Sequence, residues 1–270
     1  MPELPEIRNL AAQMCVELNG RRVSGVEIRH DKCLNLGAEE FKSLVLGKTF
    51  GDVLSRGKWI FARLEPGLHF LLSLGMGGDV LFSPKPEAMP DKYRLRLDFE
   101  DGSLLTIGFW WFGYAHVVTD RGLAEHKMTA DLGPDPLNDP TFTRDWFNDR
   151  LSEKKGNIKA ILMDQRFIAG IGNVYIQDIL FRAGLHPDRR AAFIPREQRD
   201  RLYTAIRENL ERATSLGGLA YERDLYGRPG RFKDFLVGYR EGAACPECGA
   251  TIQKIRTGST SSFICPRCQA

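Results

Sequence analysis

Four cysteines near the end of the chain constrain its fold more than any other feature of the sequence. They form two pairs, Cys245-Pro-Glu-Cys248 and Cys265-Pro-Arg-Cys268, separated by 16 residues. Four thiolates at this spacing can surround one zinc ion tetrahedrally and leave no open position for catalysis. The spacing therefore predicts a zinc ribbon with one structural Zn²⁺, in which metal binding folds a segment too small for a core of its own.

The same cysteines could instead form two disulfides, which is the main alternative. Disulfides are typical of secreted proteins, whose signal begins with basic residues followed by an apolar stretch. This chain begins MPELPEIRNL, with acidic residues at Glu3 and Glu6. No apolar run approaches the about 18 residues that a membrane helix needs. We therefore expect a cytoplasmic protein that binds zinc and has no membrane partner.

Composition and charge narrow the class of protein only a little. The 270 residues allow one large domain or two to three smaller ones. Apolar residues make up 43% and charged residues 27%, which excludes wholesale disorder. The net charge is +3, but residues 181–240 carry 13 Lys and Arg against 8 Asp and Glu. This basic segment is compatible with a polyanionic partner, although a solvated surface with scattered arginines explains it as well.

Periodicity divides the chain into a helix, a β region and a helical region. After Pro5, apolar residues at helical spacing predict one helix that ends at Asn19-Gly20. Short strands separated by turns then predict a β-sandwich or barrel, with strands at 23–28, 59–64, 70–74, 93–99 and 104–107. LGPDPL at 132–137 is the candidate linker. Beyond it we predict helices at 143–151, 158–163, 174–183 and 196–213.

The start of the chain carries a candidate nucleophile. Removal of Met1, which is usual before a small residue, leaves Pro2 as a terminal secondary amine. The pKa of a terminal amine lies about two units below that of a lysine, so more of it is neutral near pH 7. Such an amine can attack an acetal carbon and form an iminium ion, with Glu3 and Glu6 as acid–base groups. Alternatively, the prolines and glutamates of this stretch only begin a helix.

Six motifs in a fixed order point to a known family. They are PELPE at the start, LGM at 74–76, FG at 112–113, LGPDPL at 132–137, Lys159 ahead of GIGNVY at 170–175, and the ribbon ending CPRCQ. In this combination the chain resembles the formamidopyrimidine-DNA glycosylase / endonuclease VIII family over nearly its whole length. The resemblance implies a multidomain α+β fold. Its parts would be an N-terminal catalytic β-sandwich domain with an N-terminal helix (1–131), a helix–two-turns–helix DNA-binding domain (132–236) and a zinc ribbon (237–270).

The resemblance also implies an activity, that of a monomeric base-excision-repair enzyme associated with the nucleoid when bound to DNA. Such an enzyme removes oxidised or otherwise damaged bases from double-stranded DNA and nicks the strand as an AP (apurinic or apyrimidinic site) lyase. Pro2 would form a Schiff base with C1′ of the damaged nucleotide, and Glu3 would protonate the sugar ring oxygen. Lys58 would bind phosphate and assist β-elimination, although a lone lysine on a strand often only lies along the surface.

DNA contacts follow from the same resemblance. Lys159, Gly172 and Asn173 match DNA-binding positions, and the Gly-rich turn would bind backbone phosphates without reading sequence. Its glycines could equally serve only a tight turn between helices. Met76 and Phe112 match residues that fill the space left by a flipped nucleotide. The charged segment 217–232 is expected to form the loop over the extruded base.

Three positions depart from the family pattern and leave the preferred base open. Trp110, in GFWWFG, replaces the arginine that would bond the orphaned partner base, so we expect a stacking wedge there instead. Thr260 replaces the ribbon arginine, for which Arg256 or Lys254 could substitute, and Ser73 stands where histidine is common. These departures also leave open a non-catalytic relative that only binds damaged DNA. A zinc-ribbon adaptor would explain the cysteines but nothing in the first sixty residues.

Overall fold

The residues that the structure describes, 1–269 of a computed structural model, form two compact units. The first unit comprises Met1–Asp131 together with Leu216–Arg231, which we call the return segment. The second comprises Leu132–Ser215 and the described residues from Phe232 onward. The ribbon thus belongs to the same compact unit as the helices before it, and the return segment belongs to the first unit. The predicted three-domain division did not anticipate either point.

The first unit is built from one long helix, two short helices and eight strands. The helices are α1 (Leu4–Leu18), α2 (Ala38–Val45) and α3 (Asp120–Ala124). The strands are β1 (Val23–Ile28), β2 (Thr49–Arg56), β3 (Trp59–Glu65), β4 (Leu68–Ser73), β5 (Asp79–Ser83), β6 (Leu95–Phe99), β7 (Leu104–Gly108) and β8 (Tyr114–Thr119).

These strands form two antiparallel four-stranded sheets, with orders β1-β6-β7-β5 and β2-β3-β4-β8. Residues of both sheets and of α1 share one hydrophobic core. Of the two β architectures that the sequence allowed, the sandwich is therefore the one observed. The five strands that were given bounds are confirmed to within a few residues, whereas β2, β5 and β8 lie in the predicted β region without predicted bounds.

The predicted N-terminal helix is confirmed, and local chemistry explains its bounds. Pro5 lies in its first turn, where the missing backbone N–H of proline costs nothing. The apolar stripe that predicted the helix is buried in the core, with Met14 and Leu18 fully inaccessible. The helix ends at Leu18 with Asn19 as its cap, and Gly20 follows with φ of 81°, a left-handed conformation that favours glycine.

The second unit contains helices and the ribbon hairpin. Its elements are α4 (Arg144–Ser152), α5 (Ile158–Met163), α6 (Ile176–Arg182), α7 (Arg196–Ser215), β9 (Gln253–Thr257) and β10 (Thr260–Ile264). The four predicted helices are confirmed to within a few residues. In the linker, a Cβ at Gly133 would lie 2.5 Å from the Phe167 carbonyl oxygen, so only glycine fits. No helix within residues 1–269 combines the length and apolarity needed to cross a membrane.

Candidate active site and nucleic-acid interface

The predicted acid–base residues lie together at the buried N-terminal end of α1. Pro2 is buried, and Glu3 and Glu6 are 2% and 3% exposed. The two glutamates form a capping box: the Glu3 backbone N–H donates to Glu6 Oε2 over 2.8 Å, and the Glu3 carboxylate accepts from the Glu6 backbone N–H. The helix-initiating role is therefore real, and it fixes Glu3 directly beside Pro2.

Glu6 also fixes the return segment. Its Oε1 accepts a hydrogen bond of 2.9 Å from the Leu219 backbone N–H. Gly218 lies beside it with φ of +85°, and a Cβ there would approach Glu6 Oε1 to 2.6 Å. Because both Glu6 oxygens accept from backbone N–H groups, these contacts favour a positioning role for Glu6 over the predicted acid–base role.

Further contacts extend this attachment along α1. Gln13 Oε1 accepts from the Leu225 backbone N–H over 2.9 Å, and Gln13 Nε2 donates to Asp224 over 3.0 Å. One turn on, Tyr226 donates its hydroxyl hydrogen to Glu17 over 2.8 Å. Polar side chains of α1 thus bind residues some 200 positions later in the chain.

Lys58 occupies the two-residue turn between β2 and β3, where Arg56 pairs with Trp59. Gly57 has φ of +59°, as the first central residue of a hairpin turn of type II′ requires. Lys58 itself is half-buried. Since α1 contacts both strands, this turn belongs to the same unit and the same packed assembly as Pro2.

The predicted base-stacking residues lie on two adjoining loops, 74–78 and 109–113, which we call the wedge loops. Met76 and Trp111 exchange backbone hydrogen bonds of 2.8 and 3.2 Å, which joins the loops. A Cβ at Gly75 would lie 2.1 Å from the Trp111 carbonyl oxygen, so the close approach requires glycine. The loops expose Met76, Trp110 and Phe112 to 44%, 75% and 64%. Such exposure is unusual for large apolar residues and marks an interaction surface.

Two features of the wedge loops were not predicted. Trp111 is also 59% exposed and packs against Phe112 with ring centroids 6.4 Å apart. Phe112 has φ of 57°, a conformation that strains a bulky side chain and often accompanies a functional site. Beside the loops, a cavity of about 300 Å³ is lined mostly by aromatic and basic residues: His30, Lys32, Cys33, Arg94, Phe109, Trp110, Phe112, Gly113 and Tyr114. Cations and aromatic faces together suit nucleic acid.

In the second unit, the Gly-rich turn precedes α6. The Gly170 backbone N–H donates to Gln165 Oε1 over 2.8 Å, with Gly170 at φ of 104°. Gly172 is buried, and Asn173 is half-buried with its side-chain oxygen accepting from Gln177 Nε2 over 3.2 Å. The turn is thus fixed by side chains on both sides, as a rigid phosphate-binding turn needs.

Lys159 is buried, whereas the sequence predicted that it contacts DNA. It is 2% exposed, and its ammonium donates to the Ser261 carbonyl oxygen over 2.7 Å and to Ser262 Oγ over 2.8 Å. Burial lowers the pKa of Lys159 to about 8, against a smaller opposing effect of Asp188. This placement favours fixing the ribbon hairpin over the predicted direct contact with DNA.

Two neighbouring residues of α6 that sequence reasoning missed support the same hairpin and the segment before it. Gln177 Oε1 accepts from the Phe263 backbone N–H over 2.9 Å. Asp178 accepts from the backbone N–H groups of three consecutive residues, over 2.8 to 3.0 Å: Leu236, Val237 and Gly238. Both side chains are 2% exposed. In the sequence they read as ordinary polar residues of a helix, so no local signal distinguished them.

The four ribbon cysteines lie together as free thiols, so the disulfide alternative is not observed. One sulfur from each lies within 4.8 Å of the others, with Cys248 and Cys265 3.4 Å apart and Cys245 and Cys268 3.9 Å apart. Four Zn–S bonds of about 2.3 Å in a tetrahedron separate sulfurs by about 3.8 Å. The donor set and its spacing fit a zinc ion.

The ribbon hairpin carries Thr260, which replaces the family's arginine, and the two candidate substitutes Arg256 and Lys254. Thr260 pairs with Thr257 and donates its hydroxyl hydrogen to the Thr257 carbonyl oxygen over 3.3 Å. Arg256 is exposed, and its Nε donates to the Gly258 carbonyl oxygen at the turn over 3.2 Å. Lys254 lies two residues earlier on β9, with its ammonium 6.0 Å from the Phe263 ring. Arg256 is therefore the cation nearer the tip along β9.

Comparisons with known proteins agree with this geometry over the whole chain. Residues 1–108 match the formamidopyrimidine-DNA glycosylase N-terminal domain, 132–223 match its H2TH domain, and 242–270 match the zinc finger found in FPG and IleRS. The formamidopyrimidine-DNA glycosylase of Chloroflexus aurantiacus is 34% identical, covering 100% of this chain and 98% of that protein. That of Desulfitobacterium hafniense is 32% identical, covering 100% of both.

Solved structures agree as well. The Lactococcus lactis FPG complex with Fapy-dG-containing DNA has a TM-score of 0.90 at 26% identity, covering 99% of each chain. The Lactococcus lactis Fpg complex with abasic-site DNA has a TM-score of 0.90 at 26% identity, also covering 99% of each. The fold and the site define a zinc-finger protein of the DNA-glycosylase class. More particularly, the chain belongs to the formamidopyrimidine-DNA glycosylase family, which confirms the predicted resemblance and the multidomain α+β fold.

Proposed function

We propose that this chain is a bifunctional DNA glycosylase and AP lyase that excises damaged bases from double-stranded DNA through Pro2. The observation that carries the proposal is the placement of Pro2 and Glu3 at the buried start of α1 in a chain that matches the family from end to end. The curated relatives are named as glycosylases, and none of the comparisons favours a non-catalytic relative.

The reaction starts when the neutral Pro2 nitrogen attacks C1′ of the flipped nucleotide. The N–C1′ bond forms, the glycosidic bond to the damaged base breaks, and the base leaves with that electron pair. The Pro2 nitrogen then loses its N–H proton and expels O4′, to which Glu3 gives a proton as the C1′–O4′ bond opens, and an iminium ion is left on Pro2. Lys58, which belongs to the same unit, would bind a phosphate on this path.

Strand nicking follows from the same intermediate. Loss of a proton from C2′ delivers an electron pair to the iminium, and the C3′–O bond breaks with release of the 3′ phosphate. The iminium acts as the electron sink, so this β-elimination needs only a nearby base. Hydrolysis of the remaining iminium then returns Pro2 as a free amine.

DNA would be contacted by both units. In the second unit, the turn at Gly172 and Asn173 would bind backbone phosphates. In the first, Met76, Trp110 and Phe112 of the wedge loops would fill the space left by the flipped nucleotide. The solved relatives were crystallised on DNA with a damaged base or an abasic site, and we propose the same substrate here. The protein would act as a monomer in the cytoplasm, at the nucleoid.

The ribbon would hold one structural zinc ion on Cys245, Cys248, Cys265 and Cys268. The ion supplies cross-linking and no chemistry, since the four thiolates leave no open position. Lys159 and Gln177 bond the hairpin of the ribbon from α5 and α6, which orients its tip. Besides the wedge loops and the turn at Gly172 and Asn173, this hairpin would form a third contact with DNA.

Borohydride trapping tests the proposed function directly. Borohydride reduces the iminium to a stable amine, so an enzyme of this kind becomes covalently attached to abasic-site DNA. We expect a one-to-one adduct on denaturing gels and, by peptide mass spectrometry, attachment at Pro2. A protein that binds the same DNA but gives no adduct would be a non-catalytic damage-binding relative.

The wedge loops lead to a prediction about the orphaned partner base. Stacking by Trp110 tolerates any base, whereas a good bidentate arginine contact gives about 1–3 kcal/mol of discrimination, or about 5- to 150-fold. We therefore expect excision rates opposite the four bases to differ by less than about tenfold. Trp110→Ala should slow excision from duplex more than from single strands, with Trp146→Phe as a control. A strong preference for one partner base would mean that another residue reads it.

The missing ribbon arginine leads to a prediction about product ends. A δ-elimination after β-elimination expels the 5′ phosphate, and Thr260 has no charge with which to stabilise that leaving group. Losing a charge-assisted contact removes about 1.5–3 kcal/mol, or about one to two orders of magnitude in rate. We expect the 3′ unsaturated aldehyde to accumulate on gels of 5′-labelled abasic DNA, and Thr260→Arg to convert it to 3′ phosphate faster. Rapid complete conversion by the unaltered protein would instead assign the role to Arg256, which Arg256→Ala would test.

A further inference from the structure

One half-buried carboxylate faces the chain terminus without having any place in the mechanism above. Glu222 lies in the return segment, with its side chain only 14% exposed. Its Oε1 is 3.7 Å from the Met1 amine, the terminal amine of the unprocessed chain. Glu3 is close enough to act on it electrostatically. Three groups that matter to the reaction, an amine and two carboxylates, therefore meet at this point.

The backbone around Glu222 is fixed, so this encounter is part of the fold. The Glu222 N–H donates to the Leu219 carbonyl oxygen over 3.1 Å, and the Gly230 N–H donates to the Glu222 carbonyl oxygen over 3.2 Å. A Cβ at Gly230 would lie 2.2 Å from the Gly218 carbonyl oxygen, so the backbone at the start of the return segment and the backbone near its end lie too close for a side chain at position 230. The same Leu219 donates its N–H to Glu6 of the active-site helix.

We propose that Glu222 is a further catalytic residue, whose carboxylate accepts the amine proton as the Pro2 nitrogen bonds to C1′. This inference rests on the proposed function. Once Met1 is removed, the terminal amine is that of Pro2, whose nitrogen lies one residue along the chain, at most about 3.8 Å from the Met1 nitrogen that pairs with Glu222. The attacking amine becomes positively charged as the N–C1′ bond forms, and a carboxylate already in place stabilises that charge.

The proton balance of the step is simple. The neutral secondary amine has one N–H hydrogen, which becomes acidic when the nitrogen uses its electron pair to bond C1′. That proton passes to Glu222, and the nitrogen recovers an electron pair with which to expel O4′ and become the iminium. Glu3 supplies the proton that O4′ takes up, so the two carboxylates have opposite roles at one carbon. No other reactant is required.

Titration of Glu222 is consistent with this role. Burial raises the pKa of Glu222, Glu3 raises it further, and the terminal amine acts in the opposite direction. Arg223, the neighbouring cation, interacts instead with Asp79. Because the pKa in the folded state lies above the unfolded value, ionised Glu222 lowers stability, and this loss grows as the pH rises through the folded pKa. Glu222→Gln should therefore raise the melting temperature near neutral pH and have little effect in acid.

Single-turnover borohydride trapping on abasic DNA, followed across pH with Met1 removal verified by mass spectrometry, tests the inference. Without the carboxylate, the plateau rate of Glu222→Gln should fall at least about tenfold, since general bases usually contribute more than this. Its profile should also move to lower pH, because the amine loses a partner that stabilises its charged form. Formate should accelerate trapping by Glu222→Ala and leave the unaltered protein unchanged. Glu17→Gln, which removes a carboxylate of α1 that binds Tyr226 of the return segment, is the matched control.

The outcomes distinguish failure of the proposed function from failure of the role proposed for Glu222. If the unaltered protein forms no adduct, the proposed function itself fails. If it does so and Glu222→Gln matches it at every pH, Glu222 has no part in the attack. Loss of base excision with normal trapping on abasic DNA would also overturn the inference, since the residue would then contact the damaged base. A lowered melting temperature in Glu222→Gln would indicate a structural role instead.

Discussion

A chain that keeps Met1, or carries any N-terminal extension, is expected to lose both base removal and strand nicking while it still binds DNA. Blocking Pro2 turns its secondary amine into an amide, whose nitrogen has no basic electron pair with which to attack C1′. Pro2 is buried next to Glu3 when Met1 is present, so the fold does not depend on the free terminus. We expect a loss of about three orders of magnitude or more, the scale seen when a covalent nucleophile is removed.

The measurement compares two preparations of one sequence. A cleavable N-terminal tag that leaves Pro2 as the first residue gives the active form, and the uncleaved protein gives the blocked form. Both are assayed for excision, nicking and affinity for abasic-site duplex, with mass spectrometry of the terminus. Full activity in protein that retains Met1 would reject Pro2 as the nucleophile and leave Lys58 as the candidate amine.

Replacing one ribbon cysteine is expected to have the second largest effect. Cys248→Ser removes one of four zinc ligands, and zinc binding supplies about 10–16 kcal/mol of folding free energy in small zinc domains. The ribbon should unfold, and affinity for DNA should fall by at least about tenfold as the hairpin contact is lost. The first unit should remain folded, because all four ribbon cysteines belong to the second.

Metal analysis and calorimetry check this prediction together. The unaltered protein should contain one equivalent of zinc, and a chelator should reproduce the effect of Cys248→Ser. Cys15→Ser is the matched control, since Cys15 is a free cysteine of α1 outside the cluster. Active protein without zinc would contradict the assignment, as would a Cys248→Ser variant that binds DNA normally.

Features written in short stretches of sequence were predictable. The cysteine spacing predicted the cluster, and the apolar stripe from Ile7 to Leu18 predicted α1 to within a few residues. Strands such as β1 and helices such as α5 were also predicted, because their periodicity or turn signals are local. Strands β2, β5 and β8 lie inside the predicted β region, but the sequence did not single them out. Glycine and polar residues interrupt β2, and β5 is a short edge strand whose partner alone makes it a strand.

By itself, the sequence determined the helix and ribbon of this protein, the order of its motifs and, through that order, its family. Tertiary structure decided which polar groups are buried and what they face, because burial depends on contacts between residues far apart in the chain. Lys159 bonds Ser261 across about a hundred residues, Glu6 bonds Leu219 across 213, and Glu222 faces Met1. The linear sequence showed neither the burial of Lys159 nor the contacts of Glu6 and Glu222, since desolvation and pairing arise only when the segments that carry them pack together.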